Sequence, residues 1–584
     1  MNSFRSLAAV GLAILATGSS ATVAPRFRTS PIDGSKIALP TKEQLAFQDR
    51  EIGVLVQFNL GTYVNGVDGC PHIASSIASP ALFDPTSLNT DQWMDAIVAL
   101  GGTYATLTAK HSCGFAIWPS KVTFTTRDQQ TISYNYTIEQ SPVHGLDVVK
   151  MFSDSAQKYN IGHGFYYSLA TNNFLNVDKT WVRSAPLVPG QVGVTNSTFN
   201  QIAFDQLTEL WTGYGNLTEI WFDGDYNPTQ AGPVSSLLQA HQPQAVSFNG
   251  CLGDGSICVS SNPVRWIGTE TGPYPEDIWS SGVSHDGGNP EDPRFCPAEC
   301  DTALQNSARK WWYSTDKVRP LKELIDVYHK TVGHNCVLEL GLTPDHTGLV
   351  TDAHVTRYKE LGNFIRSCYG KPAADPVHTT GENGTYSMMF DSPTSIDRVV
   401  LMEDQTEGQV IRSYEVYAKI VDEQGQLDVP WSLVSKGNSV GHKRIDLFKS
   451  AMNVTEVMVN STYVDTPKWR SVSVHLCDRL DSAFLNIQAE SYTSNNGTRT
   501  QSSSGTGGGD NVGWIHNGNW LGYSKIDFGS LGATQFVARI ASGAGTGVSG
   551  EVQVVLDSPT AKPVGTIHVS NTGGWQNWST MVAN

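Results

Sequence analysis

The sequence predicts an α/β protein in which a (β/α)8 barrel is followed by two β-sandwich domains. Short apolar β-prone runs alternate with helical patterns between residues 51 and 366, and the helical patterns disappear after Pro372. A second all-β block begins near Phe484. We expect a signal peptide over residues 1–24, the barrel over 25–370, a first sandwich over 371–480 and a second over 481–584.

Eight apolar runs predict the barrel strands. They are Ile52–Phe58, Tyr104–Thr108, Gly162–Ser168, Glu219–Phe222, Ala245–Phe248, Val264–Ile267, Trp311–Tyr313 and Cys336–Leu340. The helical patterns between them are Thr90–Leu100, Asp147–Tyr159, Phe199–Tyr214, Pro233–His241, Leu321–Thr331 and Thr351–Arg366. This alternation is typical of a (β/α)8 barrel, whose sites lie at the C-terminal ends of the strands. A doubly wound open sheet is the alternative, but no glycine-rich phosphate loop follows the first strand to favour it.

The C-terminal part of the chain has the pattern of all-β domains. Residues 375–478 contain short alternating runs with turn signals, for instance Arg398–Met402 and Tyr414–Ile420. Such runs are typical of a β-sandwich. The second block contains the Ser/Gly tract Ser502–Gly509 and stops at Asn584 within an apparent strand.

Composition and charge narrow the class of protein. The chain has 584 residues, of which 39 are Lys or Arg and 55 are Asp or Glu, so its formal net charge is −16. A nucleic-acid partner is disfavoured, because phosphate binding needs a basic surface. Hydrophobic residues make up 39% of the chain, which is too many for a largely disordered protein. No apolar stretch is long enough to cross a membrane, so we expect no membrane partner.

The N-terminus has the composition of a secretory signal peptide. Arg5 precedes an apolar run from Leu7 to Thr17, and small residues form a cleavage zone near Ser20–Ala24. Eight Asn-x-Ser/Thr sequons agree with export: Asn135, Asn196, Asn216, Asn383, Asn453, Asn460, Asn496 and Asn577. We therefore expect a secreted, extracellular glycoprotein.

Nine cysteines are an odd number for an oxidising compartment. Cys251 with Cys258, and Cys296 with Cys300, are close enough in sequence to close single loops. The expected longer bridges are Cys70–Cys113 and Cys336–Cys368, which leaves Cys477 free. None of the spacings has the paired C-x-x-C pattern of a zinc site.

Two carboxylates follow predicted barrel strands directly. Asp223 ends the fourth strand and Glu270 follows the sixth, and a glycine stands near each. A carboxylate has few partners in a core, so we expect both to face the cavity at the barrel mouth. Two such groups suit glycoside hydrolysis, with one as nucleophile and the other as general acid and then base. Asp225 and Glu276 are competing acids nearby.

Several segments resemble glycoside hydrolase family twenty-nine, the retaining α-L-fucosidases. In chain order they are Ala109–Phe115, Trp118–Lys121, Glu219–Gly224, Val264–Glu270, Pro297–Asp301 and Gly333–Asp345. The Val-Arg-Trp and Pro-Ala-Glu runs resemble the subgroup that prefers branched α-1,3/1,4-linked fucose. Residues 375–478, with Gly441–Asp446, resemble the galactose-binding-like sandwich that follows the barrel in that subgroup.

The resemblance implies a role for each matching residue. Asp223 would be the nucleophile and Glu270 the acid/base, with Glu299 as the runner-up for the second role. The residues expected to bind the sugar are Gln57, His111, Tyr167, Trp221, Arg265 and Glu299. Catalysis by this family implies no cofactor.

This chain departs from the family at the first two strand ends. Gln57 follows the first strand where the family has a fucose-binding His, and His-Ser-Cys-Gly-Phe at 111–115 replaces His-His-Asp-Gly-Phe. An acidic loop is replaced by residues 67–72, so Cys70 and Cys113 are both unusual, and a disulfide between them would account for both changes. Gln57 and Ser112 can still bind a hydroxyl group, although without charge.

The last block resembles a carbohydrate-binding module of family six. The matching segments are Ile487–Glu490, Asn511–Ile515, Asn517–Ser524 and Gly573–Gln576. The resemblance implies that Trp514 and Trp575 sandwich a sugar and that Glu490 binds a structural calcium ion. The final strands of such a module would follow Asn584, so we expect it to be C-terminally incomplete. The alternative is that both tryptophans are ordinary core residues.

Together these features predict a secreted retaining exo-glycosidase, an α-L-fucosidase acting on an oligosaccharide or glycoconjugate. One alternative is a related exo-glycosidase for another sugar, such as an α-galactoside. The other is a catalytically inactive glycan-binding protein.

Overall fold

The computed structural model describes most of the chain between Val23 and Ala583. The described residues are 23–64, 70, 76–224, 226–268, 270, 274–305, 310–315, 317–382, 384–421, 429–477, 487–503, 510–524, 526, 528 and 533–583. Residues 1–22 of the predicted signal peptide, and Asp225, lie outside them.

Eight parallel strands form a closed barrel, as the sequence predicted. In chain order they are β1 (Ile52–Val56), β2 (Tyr104–Lys110), β3 (Gly162–Ser168), β4 (Glu219–Asp223), β5 (Val246–Phe248), β6 (Pro263–Trp266), β7 (Ala298–Thr302) and β8 (Cys336–Leu342). Each strand pairs with the next in sequence, and β8 pairs with β1 to close the ring. Strand β1 consists of five apolar or small residues that are all buried, as expected of a parallel strand covered on both faces.

Helices surround the barrel and connect its strands. They are α1 (Lys42–Gln48), α2 (Thr90–Leu100), α3 (Val148–Lys158), α4 (Asn196–Gly213), α5 (Pro228–His241), α6 (Leu321–Lys330) and α7 (Asp352–Tyr369). Local sequence explains their ends. The Asn89 side chain accepts hydrogen bonds from the first turn of α2, and Gly101 ends this helix at a φ of 94°.

Strand alternation divides the barrel core into two layers. Inward-pointing side chains form one cluster in the lumen: Leu55, Tyr104, Tyr166, Trp221, Val246, Phe248, Val264 and Val337. Their neighbours along the strands, such as Val54, Phe165 and Phe222, pack outward in the larger cluster that includes helix residues. The residue parity in each strand therefore decides which side chains can reach a site in the lumen.

The seventh strand differs from the prediction. It is Ala298–Thr302, whereas Trp311–Tyr313 lies outside any strand. The sequence Ala-Glu-Cys-Asp-Thr carries two acids and does not have the apolar character of a core strand. Glu299 and Asp301 are nevertheless buried, because their alternating positions point into the lumen.

A β-sandwich follows the barrel and packs against it. Its strands are β9 (His378–Glu382), β10 (Thr385–Glu403), β11 (Ile411–Ile420), β12 (Trp431–Gly437), β13 (Arg444–Tyr463) and β14 (Trp469–His475), all antiparallel. At the junction, Asn335 accepts a hydrogen bond from the His442 backbone at 2.7 Å. A Cβ atom at Gly441 would collide with Asn335, and the φ of Gly441 is 60°, so glycine is required there.

The described residues of the C-terminal block form four antiparallel strand pairs. Its strands are β15 (Ser494–Asn496), β16 (Arg499–Ser502), β17 (Asp510–Gly513), β18 (Trp520–Gly522), β19 (Phe536–Ala541), β20 (Gly550–Val554), β21 (Gly565–Val569) and β22 (Trp578–Ala583). The pairs are β15 with β18, β16 with β17, β19 with β22, and β20 with β21.

Among the described residues, none of the helices is both long and apolar enough to cross a bilayer.

Four disulfides connect eight of the nine cysteines, all of which are described. The expected Cys70–Cys113 and Cys251–Cys258 bridges are confirmed. The other expected pairings are wrong: the bridges are Cys300–Cys336 and Cys368–Cys477, and Cys296 is the free, buried thiol. Cys300 and Cys336 are distant in sequence but lie on the neighbouring strands β7 and β8.

Three glutamates lie together in the lumen: Glu219 begins β4, Glu299 is the second residue of β7 and Glu339 is the middle residue of β8. One carboxylate oxygen from each of Glu219, Glu299 and Glu339 lies within 4.8 Å of the others, and all three residues are fully buried. Burial, followed by the neighbouring carboxylates, raises the pKa of each well above its usual value. Protons shared within this cluster avoid placing three negative charges in the barrel.

We predict that Glu339→Gln stabilises the protein more at pH 8 than at pH 5. The pKa of Glu339 is raised in the folded state, so its contribution to stability is fully present below the unfolded pKa of about 4.3 and is lost as pH rises. The amide removes this titration, and we expect a gain of about 1 kcal/mol or more at pH 8. Thermal unfolding at both pH values measures it.

The matched control is Glu382→Gln, because Glu382 is exposed on strand β9. This variant should follow the wild-type dependence of stability on pH. A Glu339→Gln curve that also runs parallel to the wild type would contradict the prediction.

Candidate active site

Four aromatic rings from adjacent strands form a continuous stack inside the barrel. The rings of His111 and Tyr166 lie 5.4 Å apart, those of Tyr166 and Trp221 4.7 Å apart, and those of Trp221 and Phe248 4.0 Å apart. All three pairs are nearly parallel, with interplanar angles of 15°, 13° and 8°. The stack provides an apolar wall of the kind on which a sugar ring can pack.

Asp223 is the last residue of β4 and lies beside this wall. Its exposure is intermediate, and the Tyr166 hydroxyl donates a hydrogen bond to it. Burial first, and then Asp223, raises the pKa of Tyr166 well above its usual value, so this hydroxyl stays protonated as a donor. Asp223 thus combines access from the mouth with a fixed hydrogen-bond partner.

Lys110 supplies a cation near Asp223. It is fully buried, and its Nζ donates to the Ser168 carbonyl at 2.7 Å. Burial lowers the pKa of Lys110 to about 7, while the charge of Asp223 opposes that shift.

Glu270 lies in the loop after β6, on the same side of the barrel. Its φ is 60°, in the left-handed region that is uncommon for a non-glycine residue. Its carbonyl accepts a hydrogen bond from Thr302 Oγ1 at 3.0 Å. The charge of Glu270 contributes to the raised pKa of Tyr166, which places Glu270 in electrostatic contact with the group that binds Asp223.

Asp301 is a further acid at this mouth. It is 3% exposed, and its Oδ1 accepts a hydrogen bond from Trp266 Nε1 at 2.6 Å. Burial raises the pKa of Asp301 to about 7, and the charge of Glu270 adds to that increase. Asp301 therefore carries little charge at acid pH and gains it near neutrality.

The structure brings several of the predicted sugar-binding residues to the lumen. His111 Nδ1 is 2.8 Å from Ser112 Oγ, and its ring also meets Trp312 edge-on at 5.1 Å. Gln57 is buried, and its Oε1 accepts a hydrogen bond from Thr108 at 2.6 Å. His111 and Trp221 both belong to the aromatic wall beside Asp223.

Two of the predicted sugar-binding residues, Tyr167 and Arg265, do not face the lumen. Tyr167 points out of the barrel, where its hydroxyl donates to Gln206 of α4 at 2.7 Å. The lumen position belongs to Tyr166, because consecutive strand residues face opposite sides. Arg265 also points outward: its guanidinium donates to the carbonyls of Gly282 and Cys296 and holds the loop that follows β6.

Glu299 lies in the lumen, but below the mouth. It is fully buried, and Trp221 Nε1 and the Tyr104 hydroxyl donate to its two oxygens at 3.0 and 3.4 Å. The competing acid Glu276 is engaged elsewhere, because its carboxylate is 2.6 Å from Arg444 of the sandwich. Both observations favour Glu270 over these acids as the partner of Asp223.

The C-terminal block exposes both of its predicted binding tryptophans. Trp514 is 50% exposed and Trp575 is 67% exposed, so neither is a core residue. Glu490 is half-buried in a short 3-10 turn. In the described part of the chain, the one group of three or more acid, His or Cys ligands is the barrel cluster, which does not include Glu490.

Sequence reasoning missed Tyr166, Asp301 and Thr302. The segment Phe165-Tyr166-Tyr167 does not reveal which tyrosine faces inward until the strand is paired with β4, where Trp221 lies opposite Tyr166. Asp301 and Thr302 were overlooked because their strand was placed elsewhere. The alternation of Glu299 and Asp301 with small or apolar residues was the available signal.

Comparisons with known proteins agree with this architecture. Residues 75–370 match the family described as Alpha-L-fucosidase, and residues 488–584 match the carbohydrate binding module of family 6. The chain is 27% identical over 498 residues to "Putative alpha-L-fucosidase 1" of Oryza sativa subsp. japonica, covering 75% of this chain and 84% of that protein.

Two further comparisons concern three quarters of the chain and the last block. The crystal structure of a putative alpha-L-fucosidase from Bacteroides thetaiotaomicron superposes with a TM-score of 0.64 at 27% identity, covering 75% of this chain and 99% of that one. "Endo-1,4-beta-xylanase A" of Thermoclostridium stercorarium is 43% identical over 102 residues, which are 18% of this chain and 19% of that protein.

We predict that Tyr166→Phe lowers kcat/KM for glycoside hydrolysis by about 10- to 100-fold. The variant removes the hydroxyl that hydrogen-bonds Asp223, and a bond to a charged group contributes about 1.5–3 kcal/mol. Steady-state kinetics measure this effect.

The matched control is Tyr167→Phe, one residue along the same strand. It removes a neutral bond to Gln206 and should lower stability by about 1 kcal/mol while leaving kcat/KM within about twofold. The opposite ranking of the two variants would show that Tyr167, not Tyr166, serves the site.

Proposed function

Because the chain belongs to the alpha-L-fucosidase family, we propose that it is a secreted retaining exo-glycosidase that releases terminal fucose from glycans. The observation that supports this proposal is the position of two carboxylates at the C-terminal side of the barrel: Asp223 ends β4 with a hydrogen bond from Tyr166, and Glu270 follows β6. Glycosidases use two such carboxyl groups in different protonation states.

In the first step Asp223 attacks the anomeric carbon of the fucosyl group. Glu270, as the acid, gives its proton to the oxygen of the leaving glycan, so that a covalent fucosyl-enzyme forms as the glycosidic bond breaks. The hydrogen bond from Tyr166 orients the attacking carboxylate. The aromatic wall formed by His111, Tyr166 and Trp221 supports the sugar on its apolar face.

In the second step Glu270, now ionised, takes a proton from water as the water attacks the same carbon. The bond to Asp223 breaks, and fucose leaves with net retention of configuration. Protein side chains perform both steps, and the proposal includes no cofactor.

Gln57 and Ser112 favour testing a second sugar as a substrate beside fucose. Both can bind a hydroxyl group, but without charge, so an α-galactoside is the alternative substrate. An assay of nitrophenyl α-L-fucoside beside nitrophenyl α-galactoside, together with a glycan-binding array, separates the candidates. Turnover of the fucoside alone supports the proposal. Turnover of the galactoside alone supports the alternative, and binding without turnover indicates an inactive lectin.

The linkage preference is proposed from sequence motifs. The Val264-Arg265-Trp266 and Pro297-Ala298-Glu299 runs resemble the subgroup that acts on branched α-1,3/1,4-linked fucose. A Lewis-type branched trisaccharide should therefore be a better substrate than a linear α-1,2-fucosyl disaccharide. The reverse order of kcat/KM values would place the chain in the other subgroup.

The C-terminal module is proposed to hold the enzyme on its substrate. The exposure of Trp514 and Trp575 supports a sugar-stacking role, and the similarity to part of a xylanase favours a plant polysaccharide as the bound glycan. Calcium at Glu490 stays a prediction, which metal analysis of the purified protein would test.

Export and glycosylation are proposed from the N-terminal pattern and the sequons. N-terminal sequencing and glycopeptide mapping of the protein from a secreting host test both. An uncleaved N-terminus on a protein retained in the cell would contradict this part of the proposal.

We predict that Asp223→Gly lowers kcat by more than about 10³-fold, because the nucleophile is lost. The fold should persist, since Asp223 ends its strand at the mouth and is not fully buried. Azide should restore part of the turnover and give a fucosyl azide of inverted configuration. Wild-type activity in the variant, or a product azide of retained configuration, would contradict the nucleophile assignment.

We predict that Glu270→Gln lowers kcat/KM by about 10²- to 10⁴-fold for substrates with poor leaving groups, because these need protonation. An activated aryl fucoside should still form the fucosyl-enzyme rapidly and then stall at hydrolysis. Burst kinetics with the two substrate types measure this.

The comparison variant is Glu299→Gln. Glu299 is enclosed by Trp221 and Tyr104, so its variant should not depend on the leaving group. If Glu299→Gln shows the leaving-group pattern and Glu270→Gln does not, Glu299 is the acid.

A further inference from the structure

Glu270 has an uncommon backbone conformation for a residue that must aim a proton. Its φ of 60° lies in the left-handed region, where a non-glycine residue persists only when the surroundings hold it. Other groups in the fold must therefore hold the Glu270 backbone in this conformation.

One side chain reaches the Glu270 backbone from a barrel strand. Thr302, the last residue of β7, donates its hydroxyl proton to the Glu270 carbonyl at 3.0 Å. Thr302 is fully buried, so water does not compete for this bond. The carbonyl can only accept, and the proton of this bond must therefore come from Thr302.

A second side chain fixes the direction of that hydroxyl. Arg319 NH1 donates to Thr302 Oγ1 at 2.7 Å and to the Ala303 carbonyl at 3.0 Å. A guanidinium has no acceptor, so the Thr302 oxygen accepts from Arg319 and keeps its own proton for Glu270. Tyr274 also contacts Thr302, and its hydroxyl donates its own proton to the Asp301 carbonyl at 3.3 Å.

Arg319 itself is held firmly. It is 5% exposed, and its Nε donates to Glu323 on the first turn of α6 at 2.8 Å. Its carbonyl accepts a hydrogen bond from Arg357 of α7. Arg319 thus links helices α6 and α7 to the end of strand β7.

We infer that Arg319 and Thr302 form a hydrogen-bonded relay that holds the Glu270 backbone in position, and that both are positioning residues for acid/base catalysis. This inference rests on the proposed role of Glu270. Neither residue touches the sugar: the relay acts through the Glu270 carbonyl and fixes the backbone from which the carboxyl group extends.

The test compares Thr302→Val with Thr302→Ser in the full chain. Valine has nearly the shape of threonine but no hydroxyl, whereas serine keeps the donor. We expect Thr302→Val to lower kcat/KM for a fucosyl oligosaccharide by about 10- to 100-fold, as displaced catalytic groups do. The loss for nitrophenyl α-L-fucoside should be much smaller, and azide should accelerate turnover of this substrate. Thr302→Ser should stay within about threefold of the wild type on both substrates.

Two measurements separate positioning from general damage. Titration with a 2-fluoro-fucosyl inactivator counts the molecules with a competent Asp223, and rates are divided by this number. Thermal unfolding reports stability, and Thr302→Ala replaces Thr302→Val if the latter does not fold. An equal loss on both substrates after this correction, or no loss on either, overturns the relay.

Glu270→Gln, measured in parallel, separates the relay from the proposed function. If Glu270→Gln lacks the leaving-group dependence, the assignment of Glu270 fails. If Glu270→Gln shows that dependence and Thr302→Val does not, the assignment stands and the relay is refuted. Arg319→Lys should follow Thr302→Val in direction, because lysine does not reproduce the planar pair of donors.

Discussion

The site depends on one constraint, which is the alternation of side chains along the strands of a closed barrel. Wherever a strand keeps regular pairing, every second residue points into the lumen, whatever its chemistry. Strand β4 shows the consequence: Glu219, Trp221 and Asp223 occupy one face at the bottom, middle and mouth. Ile220 and Phe222 between them pack outward in the apolar layer.

Much of the fold could be predicted from patterns in the sequence alone. Seven of the eight barrel strands were predicted because runs such as Ile52–Val56 are apolar throughout. Strand Ala298–Thr302 was not predicted because its lumen residues are acids. These acids are stable there because they accept hydrogen bonds from Trp221 and Trp266, which belong to other strands. The choice between Tyr166 and Tyr167 failed for the same reason: parity is a property of the pairing, not of the segment.

The disulfide pairings likewise depend on which strands and domains are neighbours in the fold. Sequence proximity correctly predicted the bridge between Cys251 and Cys258, and the resemblance correctly pointed to Cys70 and Cys113. Proximity failed for Cys296 and Cys300, because Cys300 belongs to a strand whose neighbour carries Cys336. The Cys368–Cys477 bridge joins the last barrel helix to the end of the sandwich, a contact that only the domain arrangement creates.

Carboxyl groups lie at two depths in the lumen, and the charge of the deeper group affects the carboxylates at the mouth. Glu219, Glu299 and Glu339 are fully buried, and burial keeps their pKa values high, so they hold protons and add little negative charge beneath the mouth. Asp223 lies higher, with access from the mouth and with Lys110 and Tyr166 nearby. A retaining glycosidase needs one ionised and one protonated carboxyl at the same moment. A charged cluster below would oppose the ionised member, whereas a protonated cluster leaves that charge to be set by the groups at the mouth.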